Sequence, residues 1–136
     1  MAKLLLVEDD SLLIRLYQNR FTKDGHEVVA ARDGEEGLVL IEREQPDLVL
    51  LDIMMPKLSG LEMLERIKAN PATRSVPVVI LSNVSGEAEQ ERALELGAVA
   101  YIVKSANDPG RVAAKVREIL QASTRDKELP GAVSLG

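Results

Sequence analysis

Four apolar residues in a row, Leu48-Val49-Leu50-Leu51, run straight into a carboxylate, Asp52, and then into Ile53-Met54-Met55-Pro56-Lys57-Leu58-Ser59-Gly60. A run this short, with no polar alternation, predicts a strand buried on both faces. Such strands belong to parallel sheets covered by helices on either side. The carboxyl end of a central parallel strand is where open α/β sheets place their ligands. Asp52 taken alone serves equally well as a loop cap, so its meaning depends on what the rest of the chain brings beside it.

Along the chain, apolar runs alternate with helical patterns. Lys3 to Val7 reads as the first strand, and Glu8, Asp9 and Asp10 follow at once. Asp10 or Ser11 can cap a helix whose apolar positions are Leu12, Leu13, Leu16, Tyr17 and Phe21. Asp24-Gly25 ends it, with Gly25 suited to a left-handed cap. Glu27 to Ala31 is a second strand, and Asp33-Gly34 turns into a helix near Glu35 to Arg43, with Leu38 and Ile41 on its core side. Pro46 stops it, and Asp47 to Leu51 is the third strand. After Pro56, Leu61, Leu64 and Ile67 mark a helix ending near Asn70-Pro71. Val76 to Leu81 is the fourth strand, with Pro77 tolerated near its start. Ser85 is a candidate cap for a helix from about Gly86 to Leu96, closed by Gly97. Val99 to Val103 is the fifth strand, and Asp108-Pro109 opens a last helix with a stripe at Val112, Val116, Ile119 and Leu120. From Thr124 the apolar period fails. One domain is therefore expected over residues 2–123, with 124–136 as a tail or linker.

Strands alternating with helices imply parallel pairing and right-handed crossovers. Five such units fit a flavodoxin-like, doubly wound α/β fold: a five-stranded parallel sheet in the order 2-1-3-4-5 with five helices. That order sets the first and third strands side by side, so Glu8, Asp9 and Asp52 should share one crevice. Composition excludes other classes. The chain has no cysteine, hence no disulfide and no thiolate metal site. Its net charge of −5 and lack of a basic cluster argue against a nucleic-acid surface. Tyr17, Phe21 and Tyr101 are its only aromatics, too few to stack bases or a flavin. No signal pattern or membrane-length apolar stretch is present, and a cytoplasmic location is expected.

Three carboxylates in one crevice repel one another, and at least one would take up a proton in isolation. A divalent cation removes that conflict. Few hard oxygen ligands, completed by water, suit Mg²⁺ with a phosphate partner, and Mn²⁺ is the alternative. Acids serving only as caps are the competing explanation. Two further strand ends weigh against it: Ser82 follows Leu81, and Lys104 follows Val103. In the predicted order, both overlook the same crevice. Acids to hold a metal, a nucleophilic carboxylate, a hydroxyl and a mobile ammonium together make a phosphoryl-transfer site.

With these residues the chain resembles the receiver domain of bacterial two-component response regulators, a fold like that of the chemotaxis regulators. The resemblance rests on Val7-Glu8-Asp9, Leu51-Asp52-Ile53-Met54-Met55-Pro56 with Gly60, Ile80-Leu81-Ser82, Gly97-Ala98 and Tyr101-Ile102-Val103-Lys104, and it covers about Lys3 to Ala122. It implies that Asp52 accepts a phosphoryl group from a sensor histidine kinase or a phosphotransfer protein. The domain would then be a signalling module, catalysing only its own phosphorylation and dephosphorylation. It implies a metal held by Asp9 directly, by Glu8 partly through water, by Asp52 and by the Met54 backbone carbonyl. Lys104 and Ser82 would contact phosphoryl oxygens, and the Tyr101 ring would follow the movement of Ser82. Met54 and Val84, both apolar, and Asn83 would tune the lifetime of the acyl phosphate. Output would pass to an effector or output domain through the face built by the fourth helix, fifth strand and fifth helix, without direct nucleic-acid binding or membrane contact. Dimerisation stays open.

The chain departs from the family pattern at Ser105, where proline and a cis peptide are usual. A cis bond to serine costs about 3–4 kcal/mol, so a trans peptide is expected. Asn83 also replaces a smaller residue and is expected to crowd the approach to Asp52. Rival functions fit less well. A dehalogenase-like phosphatase needs an acid two residues beyond its nucleophile, where this chain has Met54. A flavin carrier needs a phosphate loop that Glu8-Asp9-Asp10 would repel, and there is no glycine-rich nucleotide loop. An unphosphorylated docking module would have no need of all five site residues. His26 and the charged stretch Glu87 to Glu95 read as solvated surface.

Overall fold

The computed structural model describes residues 2–55 and 57–128. The apolar run forms β3 (Leu48–Leu51), the middle strand of a parallel sheet ordered β2-β1-β3-β4-β5. Its neighbours are β1 (Lys3–Val7) and β4 (Val78–Ser82), with β2 (Glu27–Ala31) and β5 (Ala100–Val103) at the edges. Between them run α1 (Ser11–Lys23), α2 (Gly34–Glu44), α3 (Gly60–Ala69) and α4 (Glu87–Glu95), and α5 (Pro109–Glu128) follows β5. The architecture is the flavodoxin-like α/β fold expected from the alternation of patterns.

Strand periodicity divides the core in two. Leu5, Val7, Val49, Leu51, Val78 and Ile80 point to one face and pack with Leu40 and Ile41 of α2, Met63, Leu64 and Ile67 of α3, and Ala93 of α4. Leu4, Leu6, Leu48, Leu50, Val79 and Leu81 point to the other and pack with Ile14, Tyr17 and Phe21 of α1 and Val112, Ala113 and Val116 of α5. All four residues of β3 are fully buried, which is why no polar residue alternates there. Each such side chain contributes about 1.5–3 kcal/mol of burial.

Several sequence expectations shift. In α1, Leu12 and Leu16 are 65% and 44% exposed, while Ile14 joins Tyr17 and Phe21 in the core. The inward stripe is narrower than the apolar content of that helix, because positions 14, 17 and 21 share one face and 12 and 16 fall off it. β3 begins at Leu48 rather than Asp47, whose carboxylate accepts the Lys3 amide at 2.8 Å and competes with the ladder. β4 starts two residues later than expected, beyond Pro77, and includes Ser82. The N-cap of α4 is Gly86, with no side-chain capping bond, so Ser85 does not cap it. His26 is not simply solvated: it is half-buried, and its Nδ1 accepts the Ala2 amide at 3.3 Å. Helix α5 continues to Glu128, past Thr124, because helical backbone bonding outlasts the apolar stripe. The rest of the expected tail, 129–136, lies outside the described residues, as does Pro56.

Asp10 caps α1, its carboxylate accepting the amides of Leu12 and Leu13. Gly25 and Gly97 follow α1 and α4 at φ of 90° and 110°, a backbone that favours glycine.

Candidate functional site

Register delivers the site. Val7 pairs with Leu51, and Leu51 with Ile80, so the residues that follow β1 and β3 leave the sheet at one level. Ser82 pairs with Val103, which sets the Ser82 hydroxyl beside the residue that follows β5, Lys104. The Glu8 amide is tied to the Ala31 carbonyl at 2.9 Å and the Asp52 amide to the Val7 carbonyl at 3.1 Å. Both carboxylates are thus fixed by backbone bonds that extend the ladders past the strands.

Carboxylate oxygens of Glu8, Asp9 and Asp52 lie within 4.8 Å of one another. Glu8 and Asp52 are buried, and Asp9 faces solvent. This is a hard-oxygen donor set with open positions, the chemistry that suits Mg²⁺ or Mn²⁺. The backbone folds tightly around it. An added Cβ on Gly60 would stand 2.2 Å from the Asp52 carbonyl oxygen and 2.6 Å from the Ile53 Cα. Only glycine lets the start of α3 come so close to the strand end. Met54 sends its amide back to Asp52 Oδ1 at 3.2 Å.

Lys104 reaches across the strand ends and donates to Asp52 Oδ2 at 3.3 Å and to Glu8 Oε2. Its side chain is nearly buried. Burial opposes its charge, but the Glu8 hydrogen bond and the Asp52 and Glu8 charges outweigh that cost and hold its pKa above the ordinary lysine value. Burial pushes the Glu8 carboxyl upward, and the Lys104 hydrogen bond and charge only partly oppose it. The direct Lys104–Glu8 pair was not legible in the sequence, because β5 and β1 are not neighbours and only the sheet order shows that one side chain can span them.

The fourth strand end forms a short chain of bonds. Ser82 is fully buried and its Oγ accepts the Val84 amide at 3.2 Å. The Val84 carbonyl accepts the Tyr101 hydroxyl at 2.5 Å. Ser82, the loop after β4 and Tyr101 are therefore mechanically connected. Asn83 is exposed and does not join this chain. It lines a cavity of about 330 Å³ with Lys104, Leu13, Leu16, Tyr17 and Pro109. The peptide from Lys104 to Ser105 is trans, and the chain turns there as a short 3-10 helix, Lys104–Ala106.

An acid pair, a strand-end carboxylate, a buried hydroxyl and an ammonium gathered at the carboxyl edge of a 2-1-3-4-5 sheet define a phosphoacceptor signalling module rather than a true enzyme. The family model for the response regulator receiver domain matches residues 4–117, and the chain belongs to that family. It is 34% identical over 139 residues to the probable transcriptional regulator ycf27 of Porphyridium aerugineum, covering 98% of this chain and 56% of that protein. Among solved structures, the BeF3-activated N-terminal receiver domain of Klebsiella pneumoniae RstA superposes with a TM-score of 0.80 at 32% identity, covering 87% of this chain and 97% of that one. The Mn²⁺-bound form of the response regulator Rcp1 superposes with a TM-score of 0.72 at 30% identity, covering 90% and 91%. The chain spans about half the length of the curated relatives it matches. Among the described residues, no helix is long and apolar enough to cross a membrane.

Proposed function

We propose that Asp52 is the phosphoacceptor and that Glu8, Asp9 and the Met54 backbone carbonyl join it in holding Mg²⁺. The observation that carries this is the approach of Lys104 to Asp52 at 3.3 Å within the Glu8–Asp9–Asp52 cluster. An Asp52 oxygen attacks the phosphorus of a phosphohistidine on a sensor kinase or phosphotransfer protein. The P–O bond forms as the P–N bond breaks, and the departing imidazole keeps the electron pair. When bound, the metal neutralises charge on the transferring group. Lys104, already bonded to Asp52, would pair with the phosphoryl oxygens. The exposed Leu16 lines the cavity beside Lys104 and offers an apolar seat for the histidine-bearing partner.

An acyl phosphate adds roughly −1.5 to −2 charge and three acceptors. Ser82 gains a new partner, and turning toward it costs the bond to the Val84 amide. The loop that holds the Tyr101 hydroxyl then shifts, which is a differential contact able to bias a two-state equilibrium. Output passes through the face of α4, β5 and α5 to an effector or output domain. Met54, Asn83 and Val84 set the phosphoryl lifetime. Residues 124–136 act as a tail or linker, and the module works in the cytoplasm.

The test is intact mass after incubation with acetyl phosphate and Mg²⁺. One phosphoryl group is expected on the parent protein, none on Asp52→Asn, and none on the parent once the metal is chelated. Labelling of Asp52→Asn at the parent level would overturn the assignment.

A further inference from the structure

The chain contains no cysteine, so its sulfur chemistry rests on methionine alone. Three methionines lie among the described residues, in very different settings. Met63 is fully buried under α2, Met55 is half-buried, and Met54 is 67% exposed. Met54 is also the one anchored to the reactive carboxylate, through its amide to Asp52 Oδ1 at 3.2 Å. A thioether that is open to solvent and leaves the backbone at the mouth of a reaction site is placed both to be oxidised and to change the chemistry when it is.

We propose that Met54 is a redox modification site: hydroperoxides convert it to methionine sulfoxide, and the sulfoxide shortens the life of the acyl phosphate on Asp52. The inference rests on the phosphoacceptor reading of Asp52. In the oxidation the thioether sulfur attacks the terminal peroxide oxygen. The S–O bond forms as the O–O bond breaks, sulfur loses two electrons, and the peroxide is reduced. The proton left on the new oxygen passes to the leaving group: hydroxide from hydrogen peroxide, which departs as water, or alkoxide from an alkyl hydroperoxide, which departs as the alcohol. The sulfoxide is reversible by the methionine sulfoxide reductases.

The consequence follows from hydrogen bonding. A thioether is a weak acceptor and cannot hold a water. A sulfoxide carries a polar, strongly accepting oxygen, and on Met54 it is borne by the residue whose backbone amide is bonded to the carboxylate from which phosphate must leave. Orienting the attacking water is a positional effect on the barrier. A gain of about tenfold in phosphate release corresponds to ~1.4 kcal/mol.

The experiment treats the purified protein with limiting hydrogen peroxide, locates added oxygen by tandem mass spectrometry, and then follows phosphate release from the phosphoprotein in Mg²⁺. Untreated protein is labelled in parallel. Its gain of one phosphoryl group tests the phosphoacceptor reading by itself, and its absence would bring down both. Oxygen is expected on Met54 ahead of Met55 and Met63, with release about tenfold faster after oxidation. Release from phosphorylated Met54→Leu should be the same before and after peroxide. Oxidation of Met55 or Met63 first, equal release from native and oxidised phosphoprotein, or a peroxide response in Met54→Leu as large as the parent's would each overturn the proposal.

Discussion

Lys104 holds two carboxylates at rest, Glu8 and Asp52. On the proposed phosphoacceptor reading its contact with a phosphoryl group exists only after phosphorylation, so its removal should uncouple the modification from the switch rather than unfold the domain. In Lys104→Ala, amide shifts around Ser82 and Tyr101 on adding beryllofluoride are expected to shrink to a small fraction of the parent's. Shifts of full size would show that the ammonium does not carry the coupling. A second residue-scale outcome concerns the water that attacks the acyl phosphate. Met54 and Val84 offer it no side-chain hydrogen bond. Met54→Asn combined with Val84→Glu should release phosphate at least about tenfold faster, since positioning can be worth several kcal/mol and ~1.4 kcal/mol is a factor of ten. Phosphate release timed on the purified phosphoproteins checks this, and an unchanged rate would free the two positions of that role. Asp52, Ser82 and Lys104 could be picked out in the sequence because each ends a strand. The present partners of Lys104 and Tyr101 could not, because Glu8 and the Val84 carbonyl come from other elements.

At the scale of elements, the loop from β3 to α3 is held under constraint. Lys57 adopts φ of 67°, a conformation that costs an L-residue about 1–2 kcal/mol. Its ammonium lies 3.5 Å from Asp33 in an exposed pair, which contributes little. Glycine would relieve the strain but add roughly 0.5–1 kcal/mol of unfolded-state entropy. Lys57→Gly is therefore expected within about 0.5 kcal/mol of the parent, while Lys57→Val, β-branched in a left-handed backbone, should lose about 1–2 kcal/mol. Urea melts of the two variants decide it: equal midpoints would mean that the backbone can relax out of this conformation. Strand boundaries were legible to within two residues. The helix faces were less so. Leu12 and Leu16 satisfy a helical period, but only the seating of α1 on Leu4, Leu6, Leu48 and Leu50 selects Ile14 instead.

For the molecule as a whole, His26 links stability to pH. It accepts the Ala2 amide where the start of the chain meets the sheet, and the Ala2 carbonyl in turn accepts the Glu27 amide at 2.9 Å. Burial lowers its pKa below the ordinary histidine value of 6.5, and Asp24 and Asp47 only partly restore it. The folded state thus binds a proton less readily than the unfolded chain. The contribution of the neutral imidazole is complete above about pH 6.5 and is lost as the pH falls from there toward the folded-state pKa. Relative to the parent, His26→Gln should flatten that limb of the stability–pH curve between about pH 7 and 5, where histidine titrates. An unchanged slope in denaturant melts across that range would remove His26 as the cause.

The sequence by itself determined the class of fold, because unbroken apolar runs alternating with helical stripes admit few solutions other than a covered parallel sheet. It also picked out which residues gather at one end of the sheet, since a carboxylate, hydroxyl or ammonium directly after a buried strand can only leave at the sheet's edge. Tertiary structure decided who meets whom. Lys104 pairs with Glu8 across two intervening strand ends, Tyr101 is tied to Ser82 through Val84, and Gly60 presses against Asp52 with no room for a side chain. These contacts depend on strand register and on how far each loop rises above the sheet, and both are set by packing between elements distant in the chain. No local period in the sequence encodes that.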